Sequence, residues 1–197
     1  MQDFTQIMEA NAVFAILAVA AIVLIAYLSR TKIKSFWLNY TTRRCLNQLG
    51  IDQRSNIKWP DGIGHYFVID RLILRKEGIT VLNYNQYPGK IFCADAIDEW
   101  TQMVGQKSYR FKNPLHELDL QIKAISASVP GVPVDGFVFF DHLAEFPKGH
   151  PDRVIHLKKI PEALISDKKD EADATVKTAW KSLMAKMGSD MPGVAGV

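Results

Sequence analysis

The sequence lacks the short motifs that mark several large enzyme classes. It contains no GxxxxGK(S/T) loop, no GxSxG turn and no HExxH motif, so nothing in it supports nucleotide hydrolysis, serine hydrolysis or zinc peptidase chemistry. Its two cysteines, Cys45 and Cys93, form no CxxC pair, and its five histidines are dispersed. We therefore expect two free thiols in a reducing compartment and no zinc site.

Charge is absent from residues 10–29, which read ANAVFAILAVAAIVLIAYLS. At about 1.5 Å per residue, such a helix matches a hydrocarbon layer of about 30 Å. The preceding residues 1–9 contain two acids and no base, unlike the basic start of a signal peptide. The stretch also lacks the amphipathic pattern of a buried core helix. The sequence therefore predicts a single transmembrane helix over residues 10–29, after a short extracytoplasmic N-terminus.

Positive charge begins directly after this stretch, at Arg30, Lys32 and Lys34. By the positive-inside rule, the C-terminal part is cytoplasmic and the protein is a single-pass inner (plasma) membrane protein with its N-terminus outside. All 24 basic residues follow residue 29, as do 19 of the 21 acids, which leaves a net charge of +5. We expect these three cations to contact anionic lipid headgroups; a nucleic-acid or protein partner is the alternative use of the charge.

The rest of the chain alternates strand and helix patterns, which predicts an α/β fold. Residues 30–50 form a basic juxtamembrane segment and a helix, residues 51–160 a domain, residues 161–188 a helical segment and residues 189–197 a flexible tail. Within the domain we expect a polar loop after residue 51, a three-stranded meander over 66–74, 79–85 and 90–94, and a buried central strand at 132–141. Asn113 and Pro114 predict a helix start.

One acid stands inside an apolar strand pattern. Asp70 lies in YFVIDRLIL, and burial of its charge costs several kcal/mol unless the carboxylate is paired or ligated. Two readings stay open from the residues alone. The carboxylate pairs with Arg71 or Lys90 on a surface, or it belongs to a metal site.

The order of segments resembles the nuclease-related domain family, NERD. VIDRLIL is followed by a Gly turn, ITVLNYNQY, PGKI, FKNPL before an amphipathic helix, and VDGFVFF. This resemblance covers residues 62–141 and implies a PD-(D/E)XK nuclease-like fold, with a mixed central sheet flanked by helices after the N-terminal transmembrane helix. It also implies nucleic acid as the ancestral partner.

The resemblance implies an active site in which an Asp and a Glu-x-Lys pair act together. The two carboxylates of that pattern hold Mg²⁺, and the Lys positions the attacking water. Asp70 matches the Asp, whereas Asn83 stands at the Glu position and Asn85 at the Lys position, with Tyr87 and Gly89 matching the aromatic residue and Gly that follow.

These changes remove one negative and one positive charge. The family's Gly-Glu pair is also missing from residues 36–51, and Glu117 stands where a Gln follows N-P-L. We expect a degenerate site, a pseudoenzyme that serves as a nucleic-acid- or protein-binding module and needs no cofactor.

Two alternatives remain open. In the first, the protein is an active Mg²⁺-dependent nuclease whose site residues have migrated, with Lys90, Asp95 and Glu117 substituting around Asp70. In the second, the likeness is accidental and the protein is an accessory subunit of a membrane complex.

Overall fold

The computed structural model describes residues 40–60, 64–165 and 170–189, together with residues 19, 20, 22–24, 27, 37 and 38. The chain divides into two compact units, Met1–Arg43 and Arg44–Val197.

The predicted transmembrane segment, residues 10–29, lies mostly outside the described residues, as do Arg30, Lys32, Lys34 and nearly all of the tail at 189–197. The residues described within the segment are helical, and their larger side chains, Val19, Ile22, Val23, Leu24 and Tyr27, are exposed. Within the described part of the chain, no helix is both long and apolar enough to cross a membrane.

A five-stranded mixed sheet forms the centre of the second unit, with strand order β1-β2-β3-β7-β9. Its strands are β1 (Asp52–Pro60), β2 (Tyr66–Leu74), β3 (Ile79–Asn85), β7 (Val134–Phe140) and β9 (Val154–His156). The predicted bounds of β2 and β3 are confirmed. So is the central position of β7, which pairs in parallel with β3 on one side and β9 on the other.

The polar loop predicted after residue 51 is wrong, because Asp52–Pro60 is strand β1. It pairs antiparallel with β2 and forms the edge of the sheet. Only Ile57 and Trp59 of this strand are buried. A mostly polar edge strand lacks the two-sided apolar run that identifies an inner strand in a sequence.

The predicted three-stranded meander is also wrong in its third strand. β4 (Gly89–Phe92) leaves the first sheet and joins a second sheet of order β6-β5-β4-β8, with β5 (Glu99–Val104), β6 (Lys107–Lys112) and β8 (Ala144–Glu145). Gly89 makes this change of sheet possible. It has φ +92°, and a Cβ there would lie 2.3 Å from the carbonyl oxygen of Met103. Only glycine fits both conditions.

Helix α1 (Pro114–Ser128) begins as predicted. The side chain of Asn113 accepts a hydrogen bond from the Leu115 amide at 2.9 Å, and Pro114 occupies the first turn. The helix packs on β7 and β3 and buries Leu115, Leu118 and Ile125.

Helix α2 (Ala174–Ser189) starts later than the helix predicted from residue 161. Residues 162–164 form a short 3₁₀ helix instead. The Asp173 amide donates to the carbonyl of Lys76, which holds the chain against the β2–β3 turn before the helix begins. Val176, Trp180 and Leu183 are buried as expected, and the Trp180 indole donates to Asp52 at 3.0 Å.

The first sheet is buried on both faces. Val138 and Phe140 point to a core that includes α1 and α2, whereas Phe139 points to a second cluster with Leu46 and Leu49. The second sheet contributes Ile91 and Trp100 to the first of these cores. The molecule is therefore a mixed α/β fold in which two sheets share one core.

Candidate functional site: an amide cluster at the end of strand β3

Asp70 lies where strands β2 and β3 separate. The β2–β3 ladder ends at the pair Arg71–Leu82, and the next pair in that register is Asp70 and Asn83. In place of a ladder bond, Oδ2 of Asp70 accepts a hydrogen bond from the backbone amide of Tyr84 at 2.7 Å. One carboxylate oxygen is thus used to satisfy the backbone at the point where the strands diverge.

Asn83 is held by helix α1. Its Nδ2 donates to Oε1 of Gln121 at 2.9 Å. Gln121 is completely buried, and its own Nε2 lies 3.3 Å from both the Val68 carbonyl and Oε1 of Glu117. These amides join β2, β3 and α1 in one network. Oδ1 of Asn83 is buried and has no hydrogen-bond partner among the described residues.

Asn85 ends strand β3 and lines a cleft of about 640 Å³. Its carbonyl accepts the Asp141 amide at 3.2 Å, while its Nδ2 is buried without a partner in the described part of the chain. The cleft is also lined by Tyr87, Asp98, Glu99, Phe111, Lys112, Asn113, Pro114, His116, Glu117 and Leu120. Most of the ionisable residues among them are exposed, so the cleft has a charged rim.

Aromatic rings form the inner wall of this cleft. Tyr87 stacks on Phe111 with ring centroids 4.4 Å apart, and Trp100 contacts Phe111 edge-on at 6.1 Å. Tyr87, matched to the aromatic position of the nuclease pattern, therefore belongs to the packing that joins the two sheets.

The predicted substitute residues separate into two groups. Glu117 lines the cleft and is linked to Asn83 through Gln121. Lys90 is exposed on β4, and Asp95 is exposed in the following turn. Neither of these two lines the cleft.

A Mg²⁺ site of the carboxylate type does not fit these residues. Of the three positions that match the Asp, Glu and Lys of the nuclease pattern, only position 70 holds an acid. One oxygen of Asp70 already accepts a hydrogen bond from the Tyr84 amide. Asn83 offers an uncharged oxygen where Mg²⁺ affinity depends on carboxylates. Across the described ranges, no group of three His, Cys, Asp or Glu side chains is arranged to hold a metal ion.

The sequence analysis did not identify two polar residues that the structure holds in hydrogen bonds, Gln121 on helix α1 and His156 on strand β9. Gln121 lies beside the apolar positions 118, 122 and 125, and a polar residue on a buried helix face is the signal that identifies it. Nε2 of His156 lies 2.9 Å from the Ala144 carbonyl, and Nδ1 of the same ring accepts a hydrogen bond from the Lys158 amide at 3.0 Å. Burial lowers the pKa of His156, so the structure favours the neutral ring.

Comparisons with known proteins support the resemblance to the nuclease-related domain family. The model of the nuclease-related domain family, NERD, matches residues 38–141, more than half of the chain. A segment of 57 residues is 33% identical to an uncharacterized protein of Bacillus anthracis. It covers 29% of this chain and 27% of that protein, so the match spans about a quarter of the relative's length. No solved structure matches this chain.

Proposed function

The chain belongs to the nuclease-related domain family, and from that premise we propose that it is a membrane-anchored cytoplasmic protein whose nuclease-like domain binds a partner without cleaving nucleic acid. The observation that carries the proposal is the replacement of Glu and Lys by Asn83 and Asn85. Nδ2 of Asn83 donates to Gln121, and one oxygen of the Asp70 carboxylate accepts the Tyr84 amide. Neither the charge that holds Mg²⁺ nor the cation that stabilises an attacked phosphate is present at these positions.

A cleavage assay tests the loss of activity. The detergent-solubilised full chain is incubated with plasmid, single-stranded DNA and RNA in Mg²⁺ or Mn²⁺. We expect no cleavage above that of a matched Asp70→Ala preparation, which controls for contaminating nucleases. Cleavage by the wild type that disappears in Asp70→Ala overturns the proposal.

A gain-of-function variant sharpens the same test. The double variant Asn83→Glu/Asn85→Lys restores the family's two charges where β2 and β3 separate beside Asp70. We expect it to bind Mn²⁺ more tightly than the wild type, as measured by calorimetry. The variant Asn83→Gln/Asn85→Gln controls for side-chain size, because it adds no charge.

A second candidate, an active nuclease with a migrated site, has one observation in its favour. Glu117 lies in the cleft and is linked to Asn83 through Gln121. This candidate requires cleavage that is lost in Glu117→Gln, whereas the first proposal requires no cleavage in either protein.

Membrane anchoring by residues 10–29 is supported by the uncharged sequence and by the exposed apolar side chains of its described residues, such as Val19 and Ile22. We expect the full chain to remain with membranes after alkaline carbonate extraction. We also expect protease added to spheroplasts to leave the C-terminal domain intact. Release by carbonate, or digestion of that domain from outside, contradicts the anchor or its orientation.

A further inference from the structure

One face of the second sheet carries basic and apolar side chains and faces away from the core. In its register, Lys90 lies opposite Met103, and Phe92 opposite Thr101. Thr101 in turn lies opposite Arg110. Because side chains alternate along a strand, these residues share the side opposite to the buried Ile91 and Trp100. We call this surface the open face; it consists of Lys90, Phe92, Glu99, Thr101, Met103, Ser108, Arg110 and Lys112.

The open face is accessible in the described part of the protein. Helix α1 packs on β7 and β3, and helix α2 on β1 and β2, so both helices cover the first sheet. Lys90, Arg110 and Lys112 are exposed, while Phe92 and Met103 are half-buried between them.

Positive charge surrounds the apolar centre of this surface. Lys148 adds to the three cations of the open face, and its Nζ lies 5.8 Å from the centre of the Phe92 ring. Two acids lie nearby: Glu99 pairs with Arg110 at 3.8 Å, and Glu145 is the strand neighbour of Lys90. These four cations and two acids sum to a net charge of +2 beside the half-buried ring of Phe92.

This composition matches one kind of partner. Cations follow a phosphate backbone, and an accessible aromatic ring on an open sheet stacks with bases that are not paired. Duplex DNA keeps its base faces stacked inside, and lipid headgroups offer no planar ring. We propose that the open face binds single-stranded nucleic acid around Phe92, which does not line the cleft with Asn85; Glu99 and Lys112 border both surfaces. The proposal rests on the proposed function, because it names the partner that the non-cleaving domain binds.

The test compares two sets of three exposed cations. Binding of fluorescein-labelled dT15 to the detergent-solubilised full chain is measured by anisotropy in EDTA, which prevents metal-dependent cleavage. The variant Lys90→Gln/Arg110→Gln/Lys148→Gln is expected to bind at least tenfold more weakly. The slope of log affinity against log salt should fall by about 2, from three lost phosphate contacts. The control Lys123→Gln/Lys177→Gln/Lys181→Gln removes the same charge from the exposed sides of α1 and α2 and should bind within about twofold of the wild type.

A second pair of variants tests whether bases stack on the Phe92 ring. Phe92→Ala should weaken dT15 binding by about fivefold or more through lost stacking. Tyr109→Ala changes an aromatic residue on the other side of the same sheet and should leave binding unchanged. Equal effects of the two variants contradict stacking on Phe92.

The outcomes separate this inference from the proposed function. Equal losses in the two triple variants, or stronger binding to phosphatidylglycerol vesicles than to dT15, overturn the open face as a nucleic-acid site and leave the absence of cleavage untouched. Failure of the wild type to bind dT15 also overturns it. If the wild type cleaves nucleic acid and Asp70→Ala abolishes that cleavage, the proposed function is overturned. The binding measurements in EDTA then still test whether the open face binds single-stranded nucleic acid.

Discussion

The two sheets of this protein differ in how many of their faces are buried. In the first sheet, Val138 and Phe140 lie in one core cluster and Phe139 in the other, so both faces are buried. In the second sheet, Ile91 and Trp100 are fully buried, while Lys90 and Arg110 on the opposite face are exposed.

This difference determines what polar residues do in each sheet. Thr80 is buried in the first sheet, and its hydroxyl donates to Asp135 at 2.6 Å. Asp70 and Asn83 are half-buried there, and each makes one side-chain hydrogen bond. Cations on the second sheet remain in water and need no fixed partner. The first sheet therefore holds its polar groups in fixed contacts, whereas the second leaves its cations exposed to water.

The largest contrast is expected between the two faces of strand β5. Trp100→Ala removes a fully buried ring and should lower the free energy of unfolding by about 3–5 kcal/mol. Thr101→Ala, the next residue, lies on the open face and should cost less than about 1 kcal/mol. Urea unfolding measures both, and similar costs would contradict the one-sided burial of this sheet.

A smaller effect is expected from the amide network of the first sheet. Gln121→Leu leaves the Asn83 amide and the Val68 carbonyl without their partner and should cost about 1–3 kcal/mol. The exposed Gln86→Leu is the control. Replacing both partners, in Asn83→Leu/Gln121→Leu, should recover part of the loss, because no unpaired amide then remains between these two positions. Strict additivity of the two single substitutions would show that the hydrogen bond contributes nothing.

Gly89, where the chain passes from one sheet to the other, offers a still finer test. Gly89→Ala places a residue at positive φ and a Cβ 2.3 Å from the Met103 carbonyl. Gly105→Ala has a similar φ of +61° but nothing within 4 Å of its Cβ. The strain from positive φ alone is about 1–2 kcal/mol, so both variants should be less stable than the wild type, and Gly89→Ala the less stable of the two. Equal melting temperatures would mean that the turn relaxes freely.

The smallest effect concerns pH and the edge strand β9. Burial lowers the pKa of His156 in the folded protein, so the unfolded chain takes up a proton that the folded chain resists. The folded protein therefore keeps its full stability above the ordinary histidine pKa of about 6.5. It loses the part that depends on a neutral His156 as the pH falls from there through the lower pKa of the folded state. Melting temperature should therefore decrease from pH 7.5 to pH 5, by less in His156→Gln than in the wild type.

Sequence patterns predicted best those elements that bury apolar residues on both sides. The bounds of β2 and β3 and the central place of β7 followed from apolar runs and turn residues, and the start of α1 followed from Asn113 and Pro114. Strands β5 and β6, which bury few residues, were not predicted. One-sided burial leaves only a short alternation of apolar and polar residues on each side of a Gly turn, which is a weaker signal than a continuous apolar run.

The sequence named residues for a candidate site, but it does not encode the contacts that these residues make. Asp70 and Asn83 occupy the positions directly after the last β2–β3 pair, Arg71 and Leu82, as alternation along strands suggests. Their hydrogen bonds to Tyr84 and Gln121 depend on how β2 separates from β3 and where α1 crosses, which local sequence does not encode. Lys90 and Glu117 show the same limit, because the sheet change at Gly89 places Lys90 on the open face, whereas helix α1 places Glu117 in the cleft.

The hydrogen bond from the Tyr84 amide to Asp70 makes that amide proton a built-in spectroscopic probe. Its nuclear magnetic resonance frequency depends on the charge and position of the accepting carboxylate, so an ion or ligand that engages Asp70 shifts this one peak. A titration with Mg²⁺ or with dT15, followed in ¹⁵N-labelled protein, therefore reads the state of Asp70 without any substitution.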